Sequence, residues 1–300
     1  MSYIDLHIHS SYSDDGEFSP QKISELCIDR NIKYFSIADH NSVEAIRSAK
    51  EYCKNKNIEI IPAVELDCTH QGVNLHVLGY GIDYENKIFK EIGDNIVLQE
   101  QSASKKRMKL IRESGIDFSD EFIASKSTNG VVTGELIAEA AMEFDKDHKN
   151  PLLKPYYENG SRSNNPYVNF YWDYCAQGRP AYAEVNFISL NEAVKTISEN
   201  GGVPVLAHPG NNVKGNINLL ESIISQGIKG IEVYSSYHSL GQVLFYKEFA
   251  LKHNLLLTCG SDFHGKTKPD IHIGSSDCEN NEDNIISALK RTLKDNADLL

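Results

Sequence analysis

A chain of 300 residues is long enough for one large α/β unit with an insertion, or for two ordinary domains. Its 40% hydrophobic and 24% charged residues are those of a globular protein, and 30 basic against 42 acidic side chains give a formal charge of −12. That balance argues against a long nucleic-acid duplex as main partner, because such binding rests on neutralising phosphates with Lys and Arg. No segment reaches the ~20 apolar residues of a membrane helix, so no membrane partner is expected. The N-terminus runs directly into a strand-like segment, without the basic region and apolar run of a leader. Cys27, Cys53, Cys68, Cys175, Cys259 and Cys278 are scattered with no CxxC pair; most read as small buried hydrophobes, and a cytoplasmic location is expected.

In chain order, "IDLHIH" predicts a strand in which Ile4, Leu6 and Ile8 alternate with Asp5, His7 and His9. Residues i and i+2 of a strand share a face, so His7 and His9 point the same way, with Asp14 and Asp15 in the turn just beyond. "SPQKISELCIDRN" predicts a helix capped by Ser19, with Pro20 at its first position and an apolar stripe of Ile23, Leu26 and Cys27. "KYFSIADH" reads as a buried strand, followed by a helix over Ser42–Lys56, a third strand in "IEIIPAVEL" and a fourth in "VNLHVLGYGI". From 97 to 185 the rhythm breaks into helical, then polar and aromatic sequence with no clean strand. A structureless loop of that length is unusual, so an inserted, mostly helical subdomain is expected there, covering one end of the fold. Strand and helix alternate again through "LNEAVKTISENGG", "VPVLAHP", "INLLESIISQG", "IKGIEVYSS", "LGQVLFYKEFALKHN" and "LLLTCGSDFHG", with a last helix over Asn284–Leu293. This alternation predicts right-handed βα units and a mainly parallel sheet, open or closed into a barrel.

In parallel α/β folds the C-terminal ends of the strands form one rim, where sites are built. The residues predicted at or near that rim are His7, His9, Asp14, Asp15, Asp39, His40, Glu65, His76, His208, Asp262 and His264. They hold six of the eleven histidines; His70, His148, His253 and His272 read as surface or structural residues. Mixed imidazole and carboxylate donors suit Mn²⁺, Zn²⁺ or Fe²⁺, and the lack of clustered thiolates argues against a structural zinc site. The donors outnumber what one ion needs, so two or three divalent metal ions are expected.

Together "DLHIHSSYSDDG", "IADHNS", "AVELD", "NLHVLGYGID", "VLAHPG" and "GSDFHG" resemble the PHP (polymerase and histidinol phosphatase) superfamily, and within it the free-standing metal-dependent phosphoesterase branch. The resemblance implies a distorted (β/α)7 TIM-like barrel. Its first part would span 1–96, an inserted subdomain 97–185, and its second part 186–300. It implies a trinuclear centre in which His7, His9, Glu65 and Asp262 hold one ion and Glu65, His76 and His208 a second. Asp14, His40 and His264 would hold the third, with Asp15 a rival for Asp14. Asp39 enters among the catalytic residues as the acid that orients an imidazole. His238, in "EVYSSYHS", is expected to contact the phosphate or protonate the leaving oxygen. Where the branch often carries a phosphate-binding Arg, "VTGELIA" has Gly134, and Arg179 in "GRPAYAE" is the expected replacement. The implied activity is hydrolysis of a small phosphorylated substrate, a nucleotide or related metabolite, by metal-activated hydroxide. A phosphodiesterase or exonuclease acting on short oligonucleotides, a histidinol phosphatase and a non-catalytic PHP module are the alternatives. An insertion aromatic run, Tyr156 to Tyr174, is expected either to stack a base or to form the subdomain's own core.

Overall fold

The computed structural model describes residues 2–127 and 129–297. Among the described residues nine strands form a mixed α/β fold: β1 (Ile4–Ile8), β2 (Tyr34–Ile37), β3 (Glu59–Ile60), β4 (Ala63–His70), β5 (Val73–Tyr80), β6 (Ile188–Ser189), β7 (Val203–Leu206), β8 (Gly230–Ser235) and β9 (Leu256–Gly260). One sheet has the order β1-β2-β3 and the other β6-β4-β5-β7-β8-β9. The two meet at isolated bridges, Ile8 to Phe263 and His40 to Glu65. A closed barrel is therefore not established, because the ladder is divided into two sheets that touch through single bridges.

Two local features depart from the expected uniform strand pattern. Pro62 lacks an amide hydrogen and splits "IEIIPAVEL", so β3 pairs with β2 while β4 pairs with β5. Between β4 and β5 stand Gln71 (φ 51°) and Gly72 (φ 77°). Two consecutive left-handed residues make a tight hairpin turn, and β5 runs antiparallel to both β4 and β7. The remaining pairs, β1–β2, β2–β3, β4–β6, β7–β8 and β8–β9, are parallel as expected.

The main core lies between the sheets and their covering helices, with Leu6, Leu66, Leu78, Leu206, Ile231 and Val233 among its fully buried members. Cap chemistry fixes the helix starts. Ser19 accepts from the Lys22 amide ahead of Pro20–Asp29, and Ser189 with Glu192 forms a capping box on Leu190–Glu199. Between Tyr80 and Ile188 no strand occurs among the described residues. Lys87–Glu113 there is a helix of 27 residues that runs through the expected boundary at 96, and Asp120–Lys126, Gly134–Phe144 and Pro166–Phe170 are shorter ones. Ile111, Phe118, Ile137, Tyr156, Tyr157 and Phe170 form a second apolar cluster in this region.

Cys259 and Cys278 are disulfide-bonded, a pairing the scattered spacing does not announce, while Cys27, Cys53, Cys68 and Cys175 are free and buried. Among the described residues no helix is long and apolar enough to cross a membrane. β9 passes so close to β1 that a Cβ on Gly260 would overlap that of His7 and stand 2.5 Å from the Glu232 carboxylate. Gly260→Ala is expected to destabilise the protein by about 1–3 kcal/mol through overpacking, seen as a lower urea midpoint.

Candidate metal centre

β1 is buried on both faces, so His7 sits in the interior and His9, just past the strand end, follows it. Their Nε2 atoms lie 3.0 Å apart. Both face Glu65 Oε2 at 3.2 Å, and His9 Nε2 stands 3.0 Å from Asp262 Oδ1. His40 Nδ1 approaches the same Glu65 oxygen at 3.3 Å. The other oxygen, Oε1, faces His76 Nδ1 at 3.0 Å and His208 Nε2 at 3.1 Å. The reversal of β5 matters here. It brings the early part of that strand, with His76, to the end where the parallel strands finish, and the Ala207 amide beside His208 donates to the His76 carbonyl.

Donor atoms fall into four groups whose members all lie within 4.8 Å of one another. They are His7, His9, Glu65 and Asp262; Glu65, His76 and His208; His9, Asp15, His40 and His264; and His40, Asp67 and His76. Asp15 Oδ1, His40 Nδ1, Glu65 Oε2, Asp67 Oδ1, Asp262 Oδ1 and His264 Nε2 are buried without a hydrogen-bond partner. Buried polar atoms are rarely left unpaired, and these converge with the spacing and chemistry of an O/N cation site. Burial would raise the Glu65 carboxyl, but His7, His40 and His76 and a hydrogen bond from His208 hold it well below the carboxylate range. Burial and the neighbouring His264 and His40 push His9 down to about 4, leaving a neutral ring suited to ligation.

A surrounding shell fixes these side chains. His7 Nδ1 bonds Glu232 Oε1 at 2.9 Å, and Glu232 Oε2 accepts the His208 amide at 2.9 Å. His9 Nδ1 meets Ser13 Oγ at 2.9 Å, and Ser13 donates to Asp39 Oδ1 at 3.0 Å. Asp39 also accepts from the Ser10 amide and hydroxyl at 2.6 and 2.7 Å. Both Asp39 oxygens are thus engaged, and it reaches His9 through Ser13. Asp262 (φ 56°) and His208 (φ 22°) occupy left-handed backbone, which costs an L-residue energy and is held here by the amide bonds Asp262 N–His7 O and His208 N–Glu232.

A family model described as the PHP domain matches residues 5–200. The chain belongs to the PHP family. It is 26% identical to a 3′,5′-nucleoside bisphosphate phosphatase of Chromobacterium violaceum, over 92% of each chain. A phosphoribosyl 1,2-cyclic phosphate 1,2-diphosphodiesterase of Eggerthella lenta is 23% identical over 90% of this chain and 97% of its own. A 5′-3′ exoribonuclease of Haemophilus influenzae is 24% identical over 87% and 89%. Among solved structures, a Chromobacterium violaceum amidohydrolase with bound sulfate superposes with a TM-score of 0.77 at 23% identity, covering 92% of this chain and 91% of its own. A Bifidobacterium adolescentis protein assigned to the metal-dependent phosphoesterases gives 0.76 at 21% identity, with 96% of each chain covered. These two show the shared fold.

Asp15, Asp67, His40 and His76 open into a cleft of ≈ 1540 Å³ whose farther walls include Arg107, Gly134, Tyr171, Trp172 and Arg179. Of the two adjacent aspartates in this PHP chain, Asp15 joins His264, with Oδ2 3.1 Å from Nε2, while Asp14 is exposed and belongs to no donor group. Asp67 and Glu232 are additions to the expected set. Asp67 is two residues from Glu65 on one strand face, a signal present in "AVELD"; Glu232 is a lone acid in an apolar strand. His238 has both ring nitrogens engaged by backbone groups. Its Nδ1 donates to the Val233 carbonyl at 2.8 Å, its Nε2 accepts the Gly210 amide at 3.0 Å, and it lies outside the cleft wall. It ties down the turn that follows His208. Arg179 is exposed on the cleft wall. At Gly134 a Cβ would lie 2.8 Å from Cys175 Sγ and 3.1 Å from Tyr171, so an Arg has no room there. Tyr171 and Trp172 reach the cleft, whereas Tyr156, Tyr157 and Phe170 enter the second apolar cluster.

Glu65→Gln is expected to remove more than one equivalent of divalent metal per chain, measured by elemental analysis; loss of a single equivalent would contradict sharing of this carboxylate. Burial opposes charging the His7 and His40 rings, yet Glu65, Glu232 and Asp262 around His7, and Glu65 and Asp67 around His40, hold both well above the ordinary imidazole value. Protons therefore compete with metal, and Mn²⁺ affinity by calorimetry should rise from pH 6 to pH 8.

Proposed function

We propose that this PHP protein hydrolyses a small phosphomonoester, a nucleotide or related metabolite, with two or three divalent ions of Mn, Zn or Fe. The observation that carries the reading is the convergence of four donor groups at the base of one open cleft. His7, His9, Glu65 and Asp262 would hold one ion, Glu65, His76 and His208 a second, and Asp15, His40 and His264 a third, with Asp67 flanking the last two. Bound there, such ions supply an activated water near neutral pH and charge to clamp the phosphoryl oxygens. The protein's own part is positional. Glu232 fixes the His7 ring and the turn carrying His208, Ser13 and Asp39 fix His9, and Arg179 is placed to meet substrate charge at the cleft wall.

The reading extends to architecture and location. The two sheets are taken as a distorted (β/α)7 barrel seamed at its bridges, with residues 97–185 inserted over its rim between 1–96 and 186–300. The location proposed is the cytoplasm, where the Cys259–Cys278 pair would be kept reduced. The full donor set weighs against a non-catalytic module. A phosphodiesterase or exonuclease acting on short oligonucleotides is the second reading. It is favoured by a cleft larger than the roughly 300–1,000 Å³ of a small-molecule site and by Tyr171 and Trp172 on its wall.

A hydrolysis screen separates them, reading inorganic phosphate from monoesters and liberated mononucleotide from oligonucleotides: nucleoside monophosphates and bisphosphates, sugar phosphates, histidinol phosphate and short oligonucleotides, each with Mn, Zn or Fe returned to chelator-stripped protein. The expected result is metal-restored turnover, highest on a mononucleotide or another small monoester. Preference for oligonucleotides selects the second reading, and neither phosphate nor mononucleotide liberated from any ester under any metal would sink both.

A further inference from the structure

Lys268 stands directly behind the centre. Its side chain is buried, with the residue only 6% exposed, and it contributes to the wall of the cleft that Asp15, His40, Asp67 and His76 enter. Its ammonium has one hydrogen-bond partner among the described residues, Asp262 Oδ2 at 2.7 Å. The same oxygen accepts the Tyr237 hydroxyl at 2.6 Å, and the Lys268 Nζ lies 5.3 Å from the centre of the Tyr237 ring. Asp262 is thus divided, with Oδ2 held by Lys268 and Tyr237 and Oδ1 turned toward His7 and His9.

An ammonium carries three donors, and leaving a buried cation short of acceptors is costly. One donor is committed to Asp262. The others need an anion or water from the cleft side. The loop that carries Lys268 is fixed before any ligand arrives. The Lys268 amide donates to the Gly265 carbonyl at 3.1 Å, the Thr267 hydroxyl to the Asp15 carbonyl at 2.7 Å, and the Lys266 amide to Glu17 at 2.7 Å. The other cations along the cleft differ in kind: Arg179 and Lys214 are exposed on its wall, and three more are already engaged. Arg107 is paired with Glu100, Arg162 with Asp173 and Lys90 with Asp94. Position 134 is closed to any side chain by Cys175 and Tyr171. A buried cation beside the donor groups, pinned on one side and open on the other, is what a phosphoryl oxygen requires.

We propose that the Lys268 ammonium binds a non-bridging oxygen of the substrate's phosphoryl group, supplying from the Gly265–Lys268 turn the positive charge that Gly134 cannot. The assignment rests on the phosphoester reading above. The competing role is structural: Lys268 only orients Asp262 for metal binding. The test titrates inorganic phosphate into Mn-loaded protein by calorimetry and measures bound metal on the same samples. For Lys268→Met, an unchanged metal content is expected together with phosphate affinity weakened about tenfold to a hundredfold, the loss typical of a charge-assisted hydrogen bond. Lys268→Gln, which retains a donor to Asp262 without the charge, is expected to behave the same way and serves if the Met variant does not fold. Full phosphate affinity in either variant overturns the assignment and leaves the phosphoester reading standing. Metal lost in step with phosphate affinity overturns it in favour of the structural role. Wild-type protein that binds metal but no phosphate would overturn both.

Discussion

The structure is organised around one buried carboxylate. Glu65 is fully buried, and five imidazoles face it, His7, His9 and His40 on one oxygen and His76 and His208 on the other. A buried charge with too few partners is strongly destabilising, so this arrangement constrains everything near it. β1, β5, the loop after β2 and the turn after β7 must each deliver a ring to the same point. The two bridges between the sheets answer this demand, since one of them, His40 to Glu65, is made by residues of the centre itself.

Around that point lies a second set of polar groups that neither meets the cleft nor joins a donor group. Glu232 ties β1 to the turn after β7, Asp39 ties Ser10 and Ser13 to the end of β2, and Asp5 accepts the amides of Ser261 and Gly274. Each is a buried acid whose oxygens are occupied by donors from elements distant in sequence. Their combined effect is to hold His7, His9 and Asp262 in place before any ligand binds, which is the requirement for an effective polar site. The left-handed backbone at His208 and Asp262 belongs to the same economy of structure: strain there is tolerated because the neighbouring hydrogen bonds leave no alternative.

Much of this was legible in the residues. The alternation of "IDLHIH" places two imidazoles on one face, and the motifs on or after the other strands contain most of the side chains that the structure brings together. What periodicity missed was direction and distance. Gln71 and Gly72 turn β5 back on β4, so His76 reaches the centre from the middle of its strand and not the end. Whether Asp14 or Asp15 faces inward depends on the conformation of one turn, which adjacent identical residues do not encode in any pattern. His238 carries the right chemistry for proton transfer, yet Val233 and Gly210 occupy both of its nitrogens.

The sequence by itself determined the kinds of side chain on offer, their position on or just after strands, and membership in the PHP family, because local periodicity and short motifs depend on neighbours in the chain. Only the tertiary structure decided which aspartate joins the centre, that Glu232 and Asp67 belong with it, that Gly134 is closed to a side chain, and that Lys268 is buried against Asp262. Two of those contacts, Asp15 to His264 and His7 to Glu232, join side chains more than two hundred residues apart, and even where the partners are nearer in the chain, packing rather than propensity sets the distance.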